Sequence, residues 1–346
     1  MKAYVKTNKQ PGFTLMDKPI PNELGSHEVL IKVLSVSLCG TDVHIYNYDA
    51  WAQERINPPL IIGHEFSGEV IKVGSEVSRV KLGDVVASET HIICGKCDFC
   101  REGKGHICSQ TKIIGVDIDG AFAEYIKMPE DNLFVDTSGI DPSLLSVLEP
   151  LGNAVHTSLH FDIVMKDVVV LGCGPIGLMA VDVLRASGAG KIIALETNDT
   201  RLKLAKELGA DVVINPLKED VVARVLEETN NLGADVVAEF AGNAKALELA
   251  LDYTKKGGAI SVLGIFKDKV QFDINKVVFK GLTLYGVTGR KMYENWHQID
   301  KLLKSKKLRL DKVVTHHLEF HEMDKAFEIM NEKNCGKVVI NVGGKK

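Results

Sequence analysis

Between residues 165 and 290, apolar runs alternate with amphipathic segments, and this alternation restricts the fold more than any other feature of the chain. Strands that alternate with helices are typical of a parallel sheet with helices on both faces. We therefore predict an α/β domain with a doubly wound parallel sheet over residues 151–290. The predicted strands are 167–171, 191–195, 211–214, 235–240, 259–263 and 282–287. The helices predicted between the first five strands are 176–187, 201–208, 219–229 and 244–253.

The first 150 residues have a different pattern, in which short alternating runs are separated by turns that contain Gly, Pro and Ser. This pattern predicts a small, irregular, β-barrel-like domain over residues 1–150. After residue 290 the chain shows two helical patterns and then a strand pattern at 337–342. We expect the segment 291–346 to return to the first domain and pack on it.

A glycine-rich motif, Gly172-Cys-Gly-Pro-Ile-Gly177, follows the first predicted strand and opens a helix, as a dinucleotide-binding turn requires. Gly172 permits the tight turn, Gly174 lets the backbone approach a pyrophosphate, and Gly177 lets helix and strand pack closely. The helix N-terminus offers free N–H groups to the phosphates. Cys173 is expected to be a small core residue.

Glu196 stands at the end of the second predicted strand, where an acidic side chain can accept hydrogen bonds from the adenosine ribose. The same charge would repel a 2′-phosphate, so the sequence favours NAD over NADP. The alternative is that Glu196 is a solvated strand end. Arg201 is expected to stack on the adenine or to pair with Glu196.

Four of the seven cysteines lie within fifteen residues, which is typical of a metal site in a reducing compartment. Four thiolates in one loop are typical of a structural zinc site with no open position for substrate. An iron–sulfur cluster prefers a tighter last spacing with proline after the final cysteine, and here Ser109 follows. A redox CxxC pair is the other alternative, and His91 and His106 are expected to be solvent-exposed. The four cysteines are Cys94, Cys97, Cys100 and Cys108.

A separate set of reactive side chains occurs in Cys39-Gly-Thr-Asp-Val-His44 and in Gly63-His64-Glu65. We predict that Cys39 and His64 hold a catalytic zinc, while Thr41 and His44 carry a proton away from it. A cysteine, a histidine and a carboxylate would leave a fourth position open for a substrate oxygen.

Two carboxylates compete for the third ligand position of that zinc, Glu65 and Glu149. Glu149 lies in the tract 148–156, at the junction of the two predicted domains, where an active-site residue is expected. Taken singly, His64 and Glu65 are equally explained as satisfied polar residues of a turn. His156, in the same tract, is interpreted as an ordinary junction or helix residue.

Overall composition limits the classes of partner. The formal net charge of −4 argues against a nucleic-acid partner, which leaves a zinc-ribbon nucleic-acid-binding module as a remote alternative. The N-terminus has no apolar signal core, and the longest uncharged apolar stretch, 168–181, is broken by glycines and a proline. We therefore expect a soluble cytoplasmic protein that does not contact a membrane.

Together these motifs resemble the zinc-dependent medium-chain alcohol dehydrogenases over nearly the whole chain. Within that family, several tracts are most similar to members that oxidise the 3-hydroxyl of L-threonine with NAD. The alternative within the family is a polyol or diol dehydrogenase of the sorbitol or butanediol type. The tracts are 39–46, 51–53, 149–156 and 287–290.

The resemblance implies a Rossmann domain and a GroES-like β-barrel catalytic domain, with NAD as cofactor and a homotetrameric assembly. It implies two zinc ions per subunit: a structural one at the four clustered cysteines, and a catalytic one at Cys39, His64 and Glu65, with Glu149 assisting. It also implies the proton relay through Thr41 and His44. Arg290 and Glu149 are candidates to bind the carboxylate and amine of threonine. The implied cofactor contacts, besides the glycine-rich turn, are Ile176, Glu196, Arg201, Leu263, Gly264, Ile265, Val287 and Thr288.

Overall fold

The computed structural model describes residues 1–267 and 269–343 and divides the chain into two compact units. The first unit comprises Met1–Pro150 and the residues from Val314 onward, and the second comprises Leu151–Val313. The helix Leu148–Leu159 begins at the end of the first unit and continues into the second.

The second unit contains a six-stranded sheet in which every neighbouring pair of strands is parallel. Its inner strands are rich in β-branched residues and buried, as in Asp167–Leu171, because helices cover the sheet. This confirms the predicted doubly wound parallel sheet. From one edge to the other the strands are Val212–Ile214, Lys191–Leu195, Asp167–Leu171, Ala234–Glu239, Thr254–Val262 and Thr283–Gly286.

The helices of the second unit begin and end at residues suited to those positions. The first follows Gly174 with a proline at its start, and it ends at Gly188, which has a φ of 94°. Asn and Asp side chains accept N–H groups at the start of the next four, as N-caps do. The helices are Pro175–Ser187, Asp199–Glu207, Val221–Glu228, Ala244–Tyr253, Ile274–Lys280, Glu294–Lys304 and Leu310–Val313.

Residues 291–313 group with the second unit, although we expected them to return with the tail to the first. Arg309 attaches this segment to the helix Pro175–Ser187. Its backbone N–H donates to Asp182 Oδ2 at 2.6 Å, and its Nε donates to Oδ1 at 3.3 Å. Asp182 is buried in the helix Pro175–Ser187 and has to be paired there. Residues 344–346 of the predicted returning segment lie outside the described residues.

The first unit is mostly antiparallel β structure. A seven-stranded sheet has the order Leu133–Val135, Val85–Ser88, Glu65–Val73, Glu28–Ser37, Lys337–Asn341 and Val314–Glu319, with Tyr125–Pro129 also paired to Glu28–Ser37. Two smaller sheets consist of Thr14–Asp17, Lys2–Lys6 and Leu60–Ile61, and of His91–Ile92 with Lys112–Ile113. Its α-helices are Gly40–Asn47, Ala50–Arg55, Asp98–Arg101, Pro142–Leu145 and Met323–Glu332. Its 3-10 turns are Gly105–Ile107, Glu130–Asn132 and Phe320–Glu322.

The strand Lys337–Asn341, near the end of the chain, pairs antiparallel with Glu28–Ser37. This pairing is what brings Lys337 next to the residues that follow strand Glu28–Ser37. Among the described residues, no helix is long and apolar enough to cross a membrane.

Candidate active site

Three potential metal ligands from two chain segments converge in the first unit. Ligand atoms of Cys39, His64 and Glu65 all lie within 4.8 Å of one another. Cys39 follows the strand Glu28–Ser37, and Glu65 opens the antiparallel strand beside it, with Ser37 paired opposite Glu65. The register of two neighbouring strands therefore assembles the group that the sequence predicted.

Asp42 connects two of these ligands from the first turn of the helix Gly40–Asn47. Its Oδ2 accepts the backbone N–H of Cys39 at 2.8 Å, and its Oδ1 lies 3.5 Å from Nδ1 of His64. Burial alone would lower the pKa of His64, but Asp42 and Cys39 raise it well above its usual value. A carboxylate behind Nδ1 leaves Nε2 as the metal-binding nitrogen, which is the usual arrangement of a histidine ligand.

Glu65 is fully buried, and within the described ranges of the chain only one of its two carboxylate oxygens, Oε2, accepts hydrogen bonds. Its Oε2 accepts hydrogen bonds from the Ser37 hydroxyl and from the Lys337 ammonium, and Lys337 also donates to the carbonyl of Leu38 at 2.6 Å. Burial alone would lower the pKa of Lys337, but the charge of Glu65 raises it above its ordinary value. Lys337 thus stays charged at 2% exposure and neutralises a carboxylate of the site.

One unpaired carboxylate oxygen of this cluster fits a zinc ion. Among the described residues, Oε1 of Glu65 is buried with no hydrogen-bond partner, whereas Nδ1 of His64 and Oδ1 of Asp42 face each other at 3.5 Å. A buried carboxylate oxygen left without a donor is costly unless something else binds it. A thiolate, an imidazole and a carboxylate form a donor set that zinc accepts with one position left open. This geometry favours Glu65 over Glu149 as the third donor; Glu149 is buried and accepts the Thr90 hydroxyl at 3.3 Å.

Thr41 and His44 lie on the helix that Cys39 begins, at positions one turn apart. The Thr41 hydroxyl is 3.8 Å from the Cys39 sulfur. The His44 side chain is 52% exposed, and its Nδ1 lies 2.5 Å from Oδ2 of Asp49. His44 therefore combines contact with water and contact with a carboxylate, which suits a group that passes a proton outward.

The four clustered cysteines surround a common centre. The Sγ–Sγ distances are 3.5 Å for Cys97–Cys100 and for Cys94–Cys108, and 3.8 Å for Cys97–Cys108. Four sulfurs at about 2.3 Å from one zinc ion would be separated by about 3.8 Å in a tetrahedron, so the loop fits this metal. All four are free thiols and form one of two candidate metal groups among the described residues.

Backbone N–H groups stabilise the thiolate form of two of these cysteines, Cys97 and Cys108. The N–H groups of Cys94 and Gln110 donate to Cys108 Sγ at 3.4 and 3.3 Å. Backbone N–H groups of Cys100 and Ser109 lower the pKa of the Cys97 thiol to about 6. Such N–H groups stabilise the thiolate form that binds metal.

Most predicted cofactor residues of the second unit follow the carboxyl ends of different strands of its parallel sheet, which places them along one edge; Ile176 and Arg201 lie in the helices Pro175–Ser187 and Asp199–Glu207. Gly172 follows Asp167–Leu171, and Glu196 follows Lys191–Leu195. The other two predicted groups, 263–265 and 287–288, follow Thr254–Val262 and Thr283–Gly286. Ligands of doubly wound sheets bind at this edge.

Each glycine of the predicted turn has the environment that its predicted role requires. Gly172 has a φ of +92°, which disfavours any side chain. A Cβ on Gly177 would lie 1.9 Å from the carbonyl oxygen of Gly172, so only glycine lets the helix approach the strand. A Cβ on Gly174 would meet no atom within 4 Å among the described residues, so its backbone faces open space that a pyrophosphate can enter.

Glu196 also supports the glycine-rich turn. Its Oε2 accepts the N–H of Cys173 at 3.0 Å, and its Oε1 accepts the N–H groups of Thr197 and Asn198 at 2.7 and 3.0 Å. The carboxylate is thus fixed at the strand end, beside the turn, in the position predicted for a ribose acceptor. Cys173 is fully buried, and burial raises the pKa of its thiol, as expected of a core residue.

Comparison with known proteins gives the same assignment for both units. Residues 25–137 match the family described as alcohol dehydrogenase GroES-like domain, and residues 175–305 match zinc-binding dehydrogenase. An L-threonine 3-dehydrogenase from Caldanaerobacter subterraneus subsp. tengcongensis is 51% identical over 342 residues, which is 98% of each chain. The chain belongs to the zinc-dependent medium-chain dehydrogenase family. The GroES-like and Rossmann fold class predicted from the sequence is confirmed.

Solved structures of similar proteins agree with this dehydrogenase over 99% of its length. A zinc-binding dehydrogenase from Sinorhizobium meliloti 1021, bound to NADP, has a TM-score of 0.89 and 28% identity and covers 99% of both chains. A protein described as a short chain alcohol dehydrogenase from E. coli CFT073, complexed with NADH, has a TM-score of 0.89 and 26% identity, again with 99% of both chains covered. Because these two hold different nicotinamide cofactors, the choice between them has to come from the residues of this chain.

The sequence did not identify three side chains that complete the first unit's site: Ser37, Asp42 and Lys337. Asp42 carries a detectable signal, because it lies three residues after Cys39, where an acidic side chain closes a capping box. Lys337 carries none, because it contacts Glu65 across 272 residues of sequence. Arg290, a candidate substrate ligand, is 1% exposed, and its Nη1 donates to Asn153 at 3.3 Å.

Proposed function

We propose that this dehydrogenase oxidises L-threonine at its 3-hydroxyl to L-2-amino-3-ketobutyrate, with NAD as the hydride acceptor, in threonine catabolism. The convergence of Cys39, His64 and Glu65, with an unpartnered Glu65 oxygen, supports the chemistry. The 51% identity to an L-threonine 3-dehydrogenase over nearly the whole of both chains supports the substrate.

Cys39, His64 and Glu65 would hold the catalytic zinc, and the four clustered cysteines would hold a structural one. When bound, the catalytic ion supplies Lewis acidity that lowers the pKa of the substrate hydroxyl, and the nicotinamide accepts the hydride. Asp42 orients the His64 ring. Ser37 and Lys337 bind Oε2 of Glu65, so Oε1 remains available to the metal. The chain thereby presents the donors in a fixed arrangement before any ligand binds.

The oxidation releases one proton with each hydride, and Thr41 and His44 give this proton a route to water. The Thr41 hydroxyl is next to the Cys39 sulfur and can accept and donate in turn. His44 receives the proton one helical turn later and releases it at the surface, with Asp49 stabilising the charged ring.

Replacing His44 with alanine is expected to lower turnover at pH 7 by about two orders of magnitude, the lower end of what a general acid–base group contributes. Both zinc ions should remain bound, because His44 is a relay and not a ligand. Turnover and metal content are measured on the same preparation, and added imidazole should restore part of the rate. The exposed His321 of the same unit provides the control, His321→Ala. Loss of metal from His44→Ala would contradict the assignment.

Replacing Glu196 with serine is expected to reduce the preference for NAD over NADP by roughly ten- to a hundredfold, as the loss of hydrogen bonds to a charged group predicts. The removed charge no longer repels a 2′-phosphate. The ratio of kcat/KM for the two cofactors is the measurement, and Glu248→Ser, on an exposed helix position, is the control. A ratio equal to that of the unmodified enzyme would rule out the ribose role.

A substrate panel tests the proposed reaction directly. L-Threonine, sorbitol and 2,3-butanediol are each offered with NAD, and NADH formation is followed by absorbance. We expect L-threonine to have the highest kcat/KM. A polyol or a diol ahead of threonine would replace the proposed substrate and leave the zinc and NAD sites as proposed.

We also propose a cytoplasmic homotetramer with two zinc ions per subunit. The free state of all seven cysteines supports a reducing compartment. The edge strand Thr283–Gly286 and the exposed side chains of Ile274, Val278 and Phe279 offer a second copy a surface that water solvates poorly. Sedimentation equilibrium gives the assembly, and elemental analysis gives the metal content.

A further inference from the structure

A buried carboxylate of the second unit takes no part in the chemistry described above. Glu239 is the last residue of the central strand Ala234–Glu239 and is fully buried. In the sheet it pairs with Leu171 and Val262, the last residues of the strands on either side. Its side chain therefore belongs to the carboxyl edge of the sheet, where we place the cofactor.

The carboxylate of Glu239 ties together the turns that follow two neighbouring strands. Its Oε1 accepts the N–H groups of Ala241 and Gly242 at 2.7 and 2.6 Å, and its Oε2 accepts the N–H of Gly264 at 3.1 Å. The backbone carbonyl of Glu239 accepts the N–H of Leu263 at 3.0 Å and, more weakly, that of Gly264 at 3.4 Å. One residue thus fixes the turn 240–242 and the turn 263–265.

These turns touch through their backbones, where a side chain would not fit. A Cβ on Gly264 would lie 2.3 Å from the nitrogen of Gly242, and a Cβ on Gly242 would lie 2.4 Å from the carbonyl oxygen of Ile265. A Cβ on Gly172 would lie 2.9 Å from the Cβ of Ala241. The glycine-rich turn, the turn 240–242 and the turn 263–265 therefore form one packed layer along the edge.

The order of strands assigns different parts of NAD to these turns. Glu196, the proposed adenosine-ribose acceptor, follows the second strand from one edge, and the glycine-rich turn follows the third. A dinucleotide that runs along the edge from ribose to pyrophosphate then continues past the fourth and fifth strands, toward the turn 263–265. Ile265 is 93% exposed there and offers an apolar surface to a nicotinamide ring.

We propose that Glu239 is a positioning residue that holds the turn 263–265 in the geometry that receives the nicotinamide half of NAD. This inference rests on the proposed cofactor site and is independent of the alcohol that is oxidised. Glu239 acts through Gly264 and touches neither cofactor nor substrate. Burial raises the pKa of the Glu239 carboxyl, and the N–H groups of Gly242, Ala241 and Gly264 lower it in part. A layer preformed in this way avoids ordering the turn at the moment of binding.

The variant Glu239→Gln is expected to keep the side-chain hydrogen bonds to the turn 240–242 and to lose the one to the turn 263–265. Its amide oxygen can still accept the N–H groups of Ala241 and Gly242, but its NH2 group faces the N–H of Gly264, so two donors oppose each other. We expect NADH to bind about tenfold more weakly, as the loss of one hydrogen bond to a charged acceptor predicts. AMP, which lacks the nicotinamide half, should bind within about twofold of the unmodified affinity, since the glycine-rich turn and Glu196 are intact. Both affinities are measured by calorimetry, with Glu248→Gln as the matched control.

Equal weakening of NADH and AMP would show that Glu239 only supports the unit as a whole, and unchanged NADH binding would show that the turn does not need it. Either result overturns the proposal while leaving the proposed function in place. If the unmodified protein binds neither NADH nor AMP, the proposed cofactor site is wrong and the inference fails with it. If Glu239→Gln does not fold, amide hydrogen exchange of the unmodified cofactor-free protein tests whether the layer of turns is preformed. Slow exchange at Gly242 and Gly264 supports a preformed layer, and fast exchange at both overturns it.

Discussion

Replacing Cys39 with alanine is expected to abolish turnover and to leave NADH binding within about twofold of the unmodified enzyme. Cys39 supplies the only sulfur of the group formed with His64 and Glu65 within the part of the chain that the structure describes. Without the thiolate, the remaining imidazole and carboxylate hold zinc too weakly, and the hydroxyl pKa is no longer lowered. The cofactor residues belong to the other compact unit and keep their own contacts.

Three measurements on one preparation test this expectation: steady-state turnover, NADH fluorescence titration and zinc content. Zinc should fall from two ions to one per subunit, because the four clustered cysteines are unchanged. Cys335→Ala removes a thiol from the same unit outside both candidate metal groups and should retain both ions. Normal turnover by Cys39→Ala would refute the metal assignment, and loss of NADH binding would show that the substitution disrupts more than the metal site.

Replacing Lys337 with methionine is expected to lower the free energy of unfolding by about 3–5 kcal/mol, the usual cost of removing one partner of a buried ion pair. Lys337 is 2% exposed, and Glu65, its partner, is fully buried. Methionine fills similar volume, so the loss comes from the charge and the hydrogen bonds to Glu65 and to Leu38. Urea unfolding at pH 7, followed by fluorescence, gives the difference.

A double variant distinguishes this pair from a general packing effect. If the loss reflects an uncompensated Glu65 carboxylate, Lys337→Met together with Glu65→Gln should recover at least about half of it. The control is Lys325→Met, which removes a lysine that is 59% exposed and pairs with Glu322 at the surface. That change should cost under about 1 kcal/mol. Equal destabilisation by Lys337→Met in the presence and absence of Glu65 would contradict the pairing argument.

Much of the fold could be predicted because its signals are local. The strands Asp167–Leu171 and Lys191–Leu195 and the helix Ala244–Tyr253 have the bounds that hydrophobic periodicity predicted. The strand Thr254–Val262 begins five residues before its predicted start at 259, because Thr254-Lys-Lys-Gly-Gly has little strand propensity and joins the sheet through its pairing with Ala234. The boundary at 290 was misplaced because Arg309 holds the following segment through Asp182, which lies 127 residues away.

The sequence by itself determined which metal and cofactor motifs this dehydrogenase carries. Residue type and close spacing predicted the four-cysteine loop, the glycine-rich turn and the pair of motifs with Cys39 and His64, because each depends on neighbours along the chain. The tertiary structure alone decided how these ligands are supported. Strand pairing brings Lys337 to Glu65, and the pairing of the parallel strands places Glu239 against the turn 263–265 of the neighbouring strand. The contacts of Lys337 with Glu65 and of Glu239 with Gly264 arise from burial and register between separate segments, and neither leaves a local pattern.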